Sequence, residues 1–175
     1  MAPVARICLI GAECTGKTQL ASALAREFSA VISPEFAREY AIRVARPLDF
    51  SDLVPIARGQ IANENMAVAT ARSVVIFDTD LMSTVVYSRY YWGTCPGWIE
   101  LDASARLADL YLLMDIDLPW IADAARDAAA DRQEVHALFE STLREFGARC
   151  VSISGSGPER KSRAAEAIRA AKLKP

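Results

Sequence analysis

The sequence predicts a three-layer α/β domain: a parallel sheet with helices on both faces. Two observations carry this reading. Five short apolar runs, near Val4–Ile10, Ala30–Ile32, Ser73–Phe77, Leu110–Leu113 and Cys150–Ile153, alternate with segments of helical periodicity. Parallel strands need crossover connections, and right-handed helical crossovers place helices on both sides of the sheet. No internal repeat, low-complexity tract or linker interrupts the alternation, so 175 residues read as one domain.

The first run ends in Gly11-Ala12-Glu13-Cys14-Thr15-Gly16-Lys17-Thr18, which fits the phosphate-loop pattern G-x-x-x-x-G-K-[ST] at every fixed position. A helical pattern follows at once, with Leu20, Leu24 and Phe28 on one face. Gly11 and Gly16 let the backbone turn so that successive N–H groups face phosphate oxygens, and the helix adds its positive N-terminal end. Lys17 is placed to reach the β- and γ-phosphates, and the Thr18 hydroxyl to ligate Mg²⁺. The expectation is an ATP and Mg²⁺ site.

After the second run, Ser33 as N-cap and Pro34 as first helical residue predict a helix that Pro47 ends. Spacing leaves Glu35 open between a first-turn acid on the helix dipole and a site carboxylate at a strand end. Asp49 to Asp52 open a long helix to about Arg72. Gln60, Asn63 and Glu64 share one face of it and are expected in solvent. The third run leads into Asp78-Thr79-Asp80, which supplies one acid for a helix cap and one for the metal side of the site. Residues 87–98 hold five of the chain's fourteen aromatics and end in a Gly/Pro loop. By default Tyr87, Tyr91, Trp92 and Trp98 are packing residues, but directly after Asp80 they could also wall a pocket for an aromatic or cationic ring.

The fourth run leads through Asp115-Ile116-Asp117 into a lid spanning roughly residues 118–132. Arg126 and Arg132 suit such a lid, where mobile arginines stabilise charge on a transferring phosphoryl group. Helices from Gln133 to Gly147 and from Glu159 to about Lys172 flank the fifth strand.

Composition narrows the class. Apolar residues make up 52%, charged residues 24%, and the net charge is −2 with scattered Lys and Arg, so no nucleic-acid footprint shows. The N-terminal apolar run is too short for a signal peptide or membrane span. Four well-separated cysteines read as free thiols in a reducing cytoplasm, with Cys14 a small filler of the phosphate loop. The single histidine, His136, excludes multi-histidine metal sites and is expected on a helix surface. No N-K-x-D guanine motif and no L-S-G-G-Q signature is present, which argues against a GTPase and an ABC transporter.

As a set, Gly11 to Thr18, Pro34 to Tyr40, Asp78 to Leu81, Leu112 to Trp120 and Ala122-Asp123 with Arg126-Asp127 resemble the ribosylnicotinamide kinase domain of NadR-type proteins, a P-loop kinase family. The resemblance implies a sheet order 2-3-1-4-5 and transfer of the ATP γ-phosphate to the 5′-hydroxyl of nicotinamide riboside. It makes Glu35 a base or hydroxyl-orienting group, Asp78 a magnesium ligand and Asp80 a ribose contact, three roles that the sequence leaves interchangeable. It adds Arg38, Tyr87, Tyr91, Trp92 and Trp98 to the nucleoside pocket, and Gly155 and Arg160 to the adenine border. The partner so implied is a small nucleoside, with neither nucleic acid nor membrane. Alternatives are a kinase for another nucleoside or nucleotide, and a P-loop ATPase acting as a regulatory switch. Ala12, Cys14 and Ala124 depart from the Pro, Ser and Gly common in relatives. A chain of this length is expected to hold the kinase domain alone, without an adenylyltransferase or DNA-binding domain.

Overall fold

The computed structural model describes residues 3–119 and 131–173. Five parallel strands form one sheet in the order β2-β3-β1-β4-β5: β1 Ala5–Ile10, β2 Val31–Ser33, β3 Val74–Asp78, β4 Leu110–Met114 and β5 Cys150–Ile153. This is the expected order. β1 is central, with Leu9 opposite Asp78 on one side and Leu112 on the other.

Side chains alternate between the sheet faces, so each apolar strand feeds two cores. Ile7, Leu9, Ile76, Leu110 and Leu112 pack with Leu20 and Leu24 of α1 (Lys17–Phe28) and with Ala164 and Ile168 of α7 (Gly157–Ala170). On the other face Cys8, Ile10, Val75, Phe77, Tyr111 and Leu113 meet four helices. These are α3 (Leu53–Thr70), α4 (Leu81–Trp92), α5 (Gly97–Ala105) and α6 (Arg132–Glu145). Each fully buried Leu or Ile contributes on the order of 1.5–3 kcal/mol, so the two faces dominate the folding free energy.

Three local readings need correction. Residues 97 and 98, read as the end of a Gly/Pro loop, instead start α5 (97–105), because Ile99 and Ala103 lie four apart and bury one face. Ser33 does not cap a helix: β2 runs through it, paired with Phe77, and α2 (Phe36–Val44) starts from Glu35 as N-cap. The stripe on α3 is not in solvent, since Gln60 and Glu64 are 2% and 3% exposed, and Asn63 is half-buried. His136 on α6 is half-buried. Among the described residues no helix is long and apolar enough to cross a membrane.

Strand β1 ends against the backbone of β4. A Cβ on Gly11 would stand 3.0 Å from the Met114 carbonyl oxygen, and Gly11 has φ +135°. Gly11→Ala is therefore expected to lower the unfolding free energy by ~1–3 kcal/mol. Urea denaturation checks this, and an unchanged midpoint would remove the close approach as a constraint.

Candidate active site

The carboxyl ends of β1, β3 and β2 converge, and each delivers one functional segment. The loop after β1 turns through Gly11, Cys14 (φ +57°) and Gly16 (φ +78°), with Gly16 as the left-handed N-cap of α1. Thr15, 1% exposed, closes the loop by donating its hydroxyl to the Ala12 carbonyl at 2.8 Å. Lys17 Nζ donates to the carbonyls of Gly11 at 2.8 Å and Ala12 at 2.7 Å, which holds the ammonium over the loop. Glu13 is half-buried, and Thr18 follows in the first turn of α1 with its residue exposed.

Beside this loop, β3 ends at Asp78, and the chain turns through Thr79 at φ +66°. A β-branched residue there is strained, and such strain persists only where the surroundings over-determine it. Here Thr79 N–H donates to the Leu9 carbonyl at 3.1 Å, and Gln60 Nε2 donates to the Thr79 carbonyl at 3.3 Å. Gln60 Oε1 accepts from Phe36 N–H at 3.0 Å, so one buried amide bolts the Asp78 turn to the start of α2, next to Glu35. Asn63 Nδ2 adds a bond to the Pro34 carbonyl at 3.3 Å, and Glu64 accepts from Leu81 N–H at 2.9 Å. These α3 residues escaped sequence reading because helical spacing does not say which polar face meets loops and which meets water. A signal was present: Gln60 and Glu64 share a face with the apolar Ile56, Ala57 and Ala67.

The two acids of the Asp78-Thr79-Asp80 turn have separate tasks. Asp80 is the cap: its Oδ1 accepts from Met82 N–H at 3.0 Å and its Oδ2 from the Tyr111 hydroxyl at 2.6 Å. Both oxygens are occupied inside the core at 4% exposure. Asp78 is 5% exposed, yet its Oδ1 is buried with no hydrogen-bond partner among the described residues. A buried carboxylate oxygen without a donor is costly unless a cation or ligand meets it. That fits a divalent ion held by Asp78 and the Thr18 hydroxyl together with nucleotide oxygens, the coordination Mg²⁺ prefers. Among the described residues no group of three or more His, Cys, Asp or Glu side chains could hold a metal ion unaided.

Helix α4 brings its tyrosines to the same place. Burial pushes the Tyr87 hydroxyl well above its usual range, and the negative charges of Glu13 and Glu35 push it further, with Tyr91 and Cys14 adding to this. Tyr87 is thus within electrostatic reach of both the phosphate loop and Glu35. It stacks on Tyr91 at 6.1 Å between ring centroids and is braced edge-on by Phe139 at 5.6 Å. Trp92 packs edge-on against Phe50 and, tilted, against Tyr91 at 5.7 Å, and Trp98 is 38% exposed near the start of α5. Arg38 is half-buried on α2.

On the other side of β1, Arg132 at the start of α6 donates from Nη1 to the Leu118 carbonyl at 2.9 Å. Its Nε and Nη2 are buried without a hydrogen-bond partner among the described residues. Leu118 in turn packs against Gly16. Two unmet guanidinium donors at this point suit an anion. Arg126 and most of the expected lid lie outside the described residues. Gly155 and Arg160 sit at the start of α7, and Arg160 is 3% exposed.

A phosphate-binding turn leading into a helix, an acid with an unmet oxygen beside it, and this sheet order belong to one class, the P-loop kinases, which transfer phosphate from ATP with Mg²⁺. The chain belongs to the AAA-domain family, whose pattern matches residues 6–160. It is 29% identical over 150 residues to the trifunctional NAD biosynthesis/regulator protein NadR of Escherichia coli K12, which is 81% of this chain and 36% of that protein. The chain therefore spans little more than a third of that relative's length. A solved structure of NadR in complex with NR superposes with a TM-score of 0.84 at 24% identity, covering 96% of this chain and 50% of the other. NadR in complex with NAD and AMP-PNP gives 0.77 at 25% identity, covering 96% and 49%.

Two outcomes test this geometry. Gln60→Ala leaves the Phe36 N–H and the Thr79 carbonyl unmet and is expected to cost ~1–3 kcal/mol of stability, against under about 1 kcal/mol for Asn63→Ala; equal losses in urea denaturation would contradict the strut. Desolvation first, then the Glu64 charge, raises Asp80 to about 7. The unfolded chain releases that proton near ~3.9, so between about pH 4 and 7 the folded state keeps a proton the unfolded state loses, and stability falls as pH rises. Asp80→Asn does not titrate, so its stability relative to wild type should improve by roughly 2–3 kcal/mol from pH 5 to pH 8. Melting curves showing a pH-independent difference would overturn the assignment.

Proposed function

We propose that this domain phosphorylates the 5′-hydroxyl of nicotinamide riboside, with ATP as phosphoryl donor, to give the mononucleotide. The observation that carries the reading is that the Gly11–Thr18 loop, the unmet Asp78 oxygen and Glu35 follow the carboxyl ends of β1, β3 and β2, with Tyr87, stacked on Tyr91, feeling the charges of Glu13 and Glu35. Support comes from the likeness to NadR solved with NR, which extends over 96% of this chain.

Each residue has a definite task in this reading. The loop amides and Lys17 grip the triphosphate, and Lys17 exchanges its bonds to the Gly11 and Ala12 carbonyls for phosphate oxygens. Thr18 and Asp78 hold the magnesium ion, which supplies charge neutralisation on the phosphates. Glu35, at the N-cap of α2, accepts the hydrogen bond of the acceptor hydroxyl and orients it, with Arg38 one turn on in the same pocket. Arg132 meets the charge that develops on the transferring group, and Arg126 is assigned the same task from the lid. Asp80 contributes through Met82 and Tyr111, by fixing the turn that carries Asp78. A pyridinium ring is a cation, which suits the faces of Tyr87 and Tyr91 near Glu13 and Glu35. Trp92 and Trp98 complete the pocket wall only if the pocket extends along α4 to α5. A reducing cytoplasm is the compartment this reading calls for.

A phosphate-transfer assay across nucleosides is the direct test. Nicotinamide riboside should support turnover above uncharged nucleosides; ATP consumption indifferent to every nucleoside would favour a regulatory ATPase. Lys17→Ala should abolish transfer with the melting temperature retained, and Asp78→Asn should lower kcat at least ~100-fold, the scale of losing a charge-stabilising group. A loss under about threefold at Asp78 would move the metal-side role to another acid.

A further inference from the structure

The resemblance places Arg160 at the adenine border beside Gly155, and its guanidinium is engaged by the protein itself. Nε donates to the Gly155 carbonyl at 2.6 Å, Nη1 to the Thr15 carbonyl at 2.5 Å, and Nη2 to the Asp115 carbonyl at 3.3 Å and to Asp117 Oδ1. Asp117 Oδ2 accepts from Gly155 N–H at 2.6 Å, which closes a ring of contacts. One side chain, 3% exposed, thus ties together the loops that follow β1, β4 and β5.

Burying an arginine is expensive and is offset only by good geometry at every donor. Its acceptors here are mainly backbone carbonyls, and one lies inside the phosphate loop. We propose that Arg160 is a positioning residue for that loop: by holding the Thr15 carbonyl toward itself, it aims the Gly16 amide at the nucleotide's phosphates. The geometry follows from the peptide bond. In a trans peptide C=O and N–H point in opposite directions, so fixing the Thr15 oxygen fixes the Gly16 hydrogen. The left-handed Gly16 is the conformation that turns successive amides to one side, as in anion-binding nests. Lysine would not substitute, because one ammonium cannot span acceptors on three loops.

This inference rests on the phosphate-loop reading above, and the two fail differently. Binding of ATP, tripolyphosphate and adenosine is measured by competition against a fluorescent ATP analogue, for the full chain and for Arg160→Lys and Arg160→Gln. Wild type that binds neither ATP nor tripolyphosphate defeats the functional reading itself. Given wild-type binding, both variants should lose about tenfold in affinity for ATP and tripolyphosphate, the scale of one charge-assisted phosphate contact, with adenosine affinity and acceptor KM unchanged. Because Arg160→Lys keeps the charge, recovery of wild-type tripolyphosphate binding in that variant would show that charge and not amide direction matters, and would overturn the proposal. So would a loss confined to adenosine, or no loss at all. If the Arg160 variants do not fold, Asp117→Asn keeps the guanidinium but loosens its anchor, and should show the same split between tripolyphosphate and adenosine to a smaller extent; its absence there is equally decisive.

Discussion

A parallel sheet satisfies its own backbone only as far as its ladder runs. Beyond the last paired residue every N–H and C=O needs another partner, and at the carboxyl ends of these strands water cannot serve them all. The chain meets this constraint with long polar side chains sent in from helices. Gln60 serves Phe36 and Thr79, Glu64 serves Leu81, and Arg160 serves Thr15, Asp115 and Gly155. Those side chains set the loop directions, and the loop directions set the site. The geometry of these strand ends is a by-product of backbone satisfaction.

The same constraint explains which polar atoms stand out. The loop groups named above have buried partners, whereas Asp78 Oδ1 and Nε and Nη2 of Arg132 have none among the described residues and are the atoms that the proposed reading gives to the ligand. These atoms lie on opposite sides of β1, flanking the turn that opens α1. In that reading, unmet anionic and cationic atoms on either side of a phosphate-binding turn suit a metal-bearing polyphosphate better than a neutral molecule.

How much of this was legible in the sequence follows from the range of each signal. The Gly11–Thr18 loop was legible because its chemistry is local: glycines for turns, a lysine and a hydroxyl at fixed offsets. The strands were legible because burial on both faces leaves an unbroken apolar run. Helix α5 was missed because its start after Pro96 lacks a side-chain cap and its Trp98 and Leu101 face outward. Gln60 and Glu64 were misread, and the contacts of Arg160 went unseen, for one reason, that each acts on backbone between 5 and 145 residues away. Local periodicity carries no information about such partners. Asp78 and Asp80 were recognised as a pair, but only the Met82 and Tyr111 bonds separate cap from site acid.

The polar layer behind the loops also bears on how the site works. Glu64 pairs with Arg106 at 2.9 Å while Asp80 sits under Tyr111, all close to the apolar core around β1. Replacing such a layer with hydrophobic residues is often neutral or stabilising, so stability is a poor reason for it. Its effect is to hold a strained Thr79 and the turn around it in one conformation before any ligand arrives. Ordering entropy for the loops on β1 and β3 is therefore met during folding and not on binding. The other wall is less enclosed: Tyr91 is 42% exposed, and α2 has no fully buried residue of its own, although Gln60 fixes its start. In the proposed reading, donor binding is therefore set by the fold itself, and acceptor choice falls to a few side chains on α2 and α4.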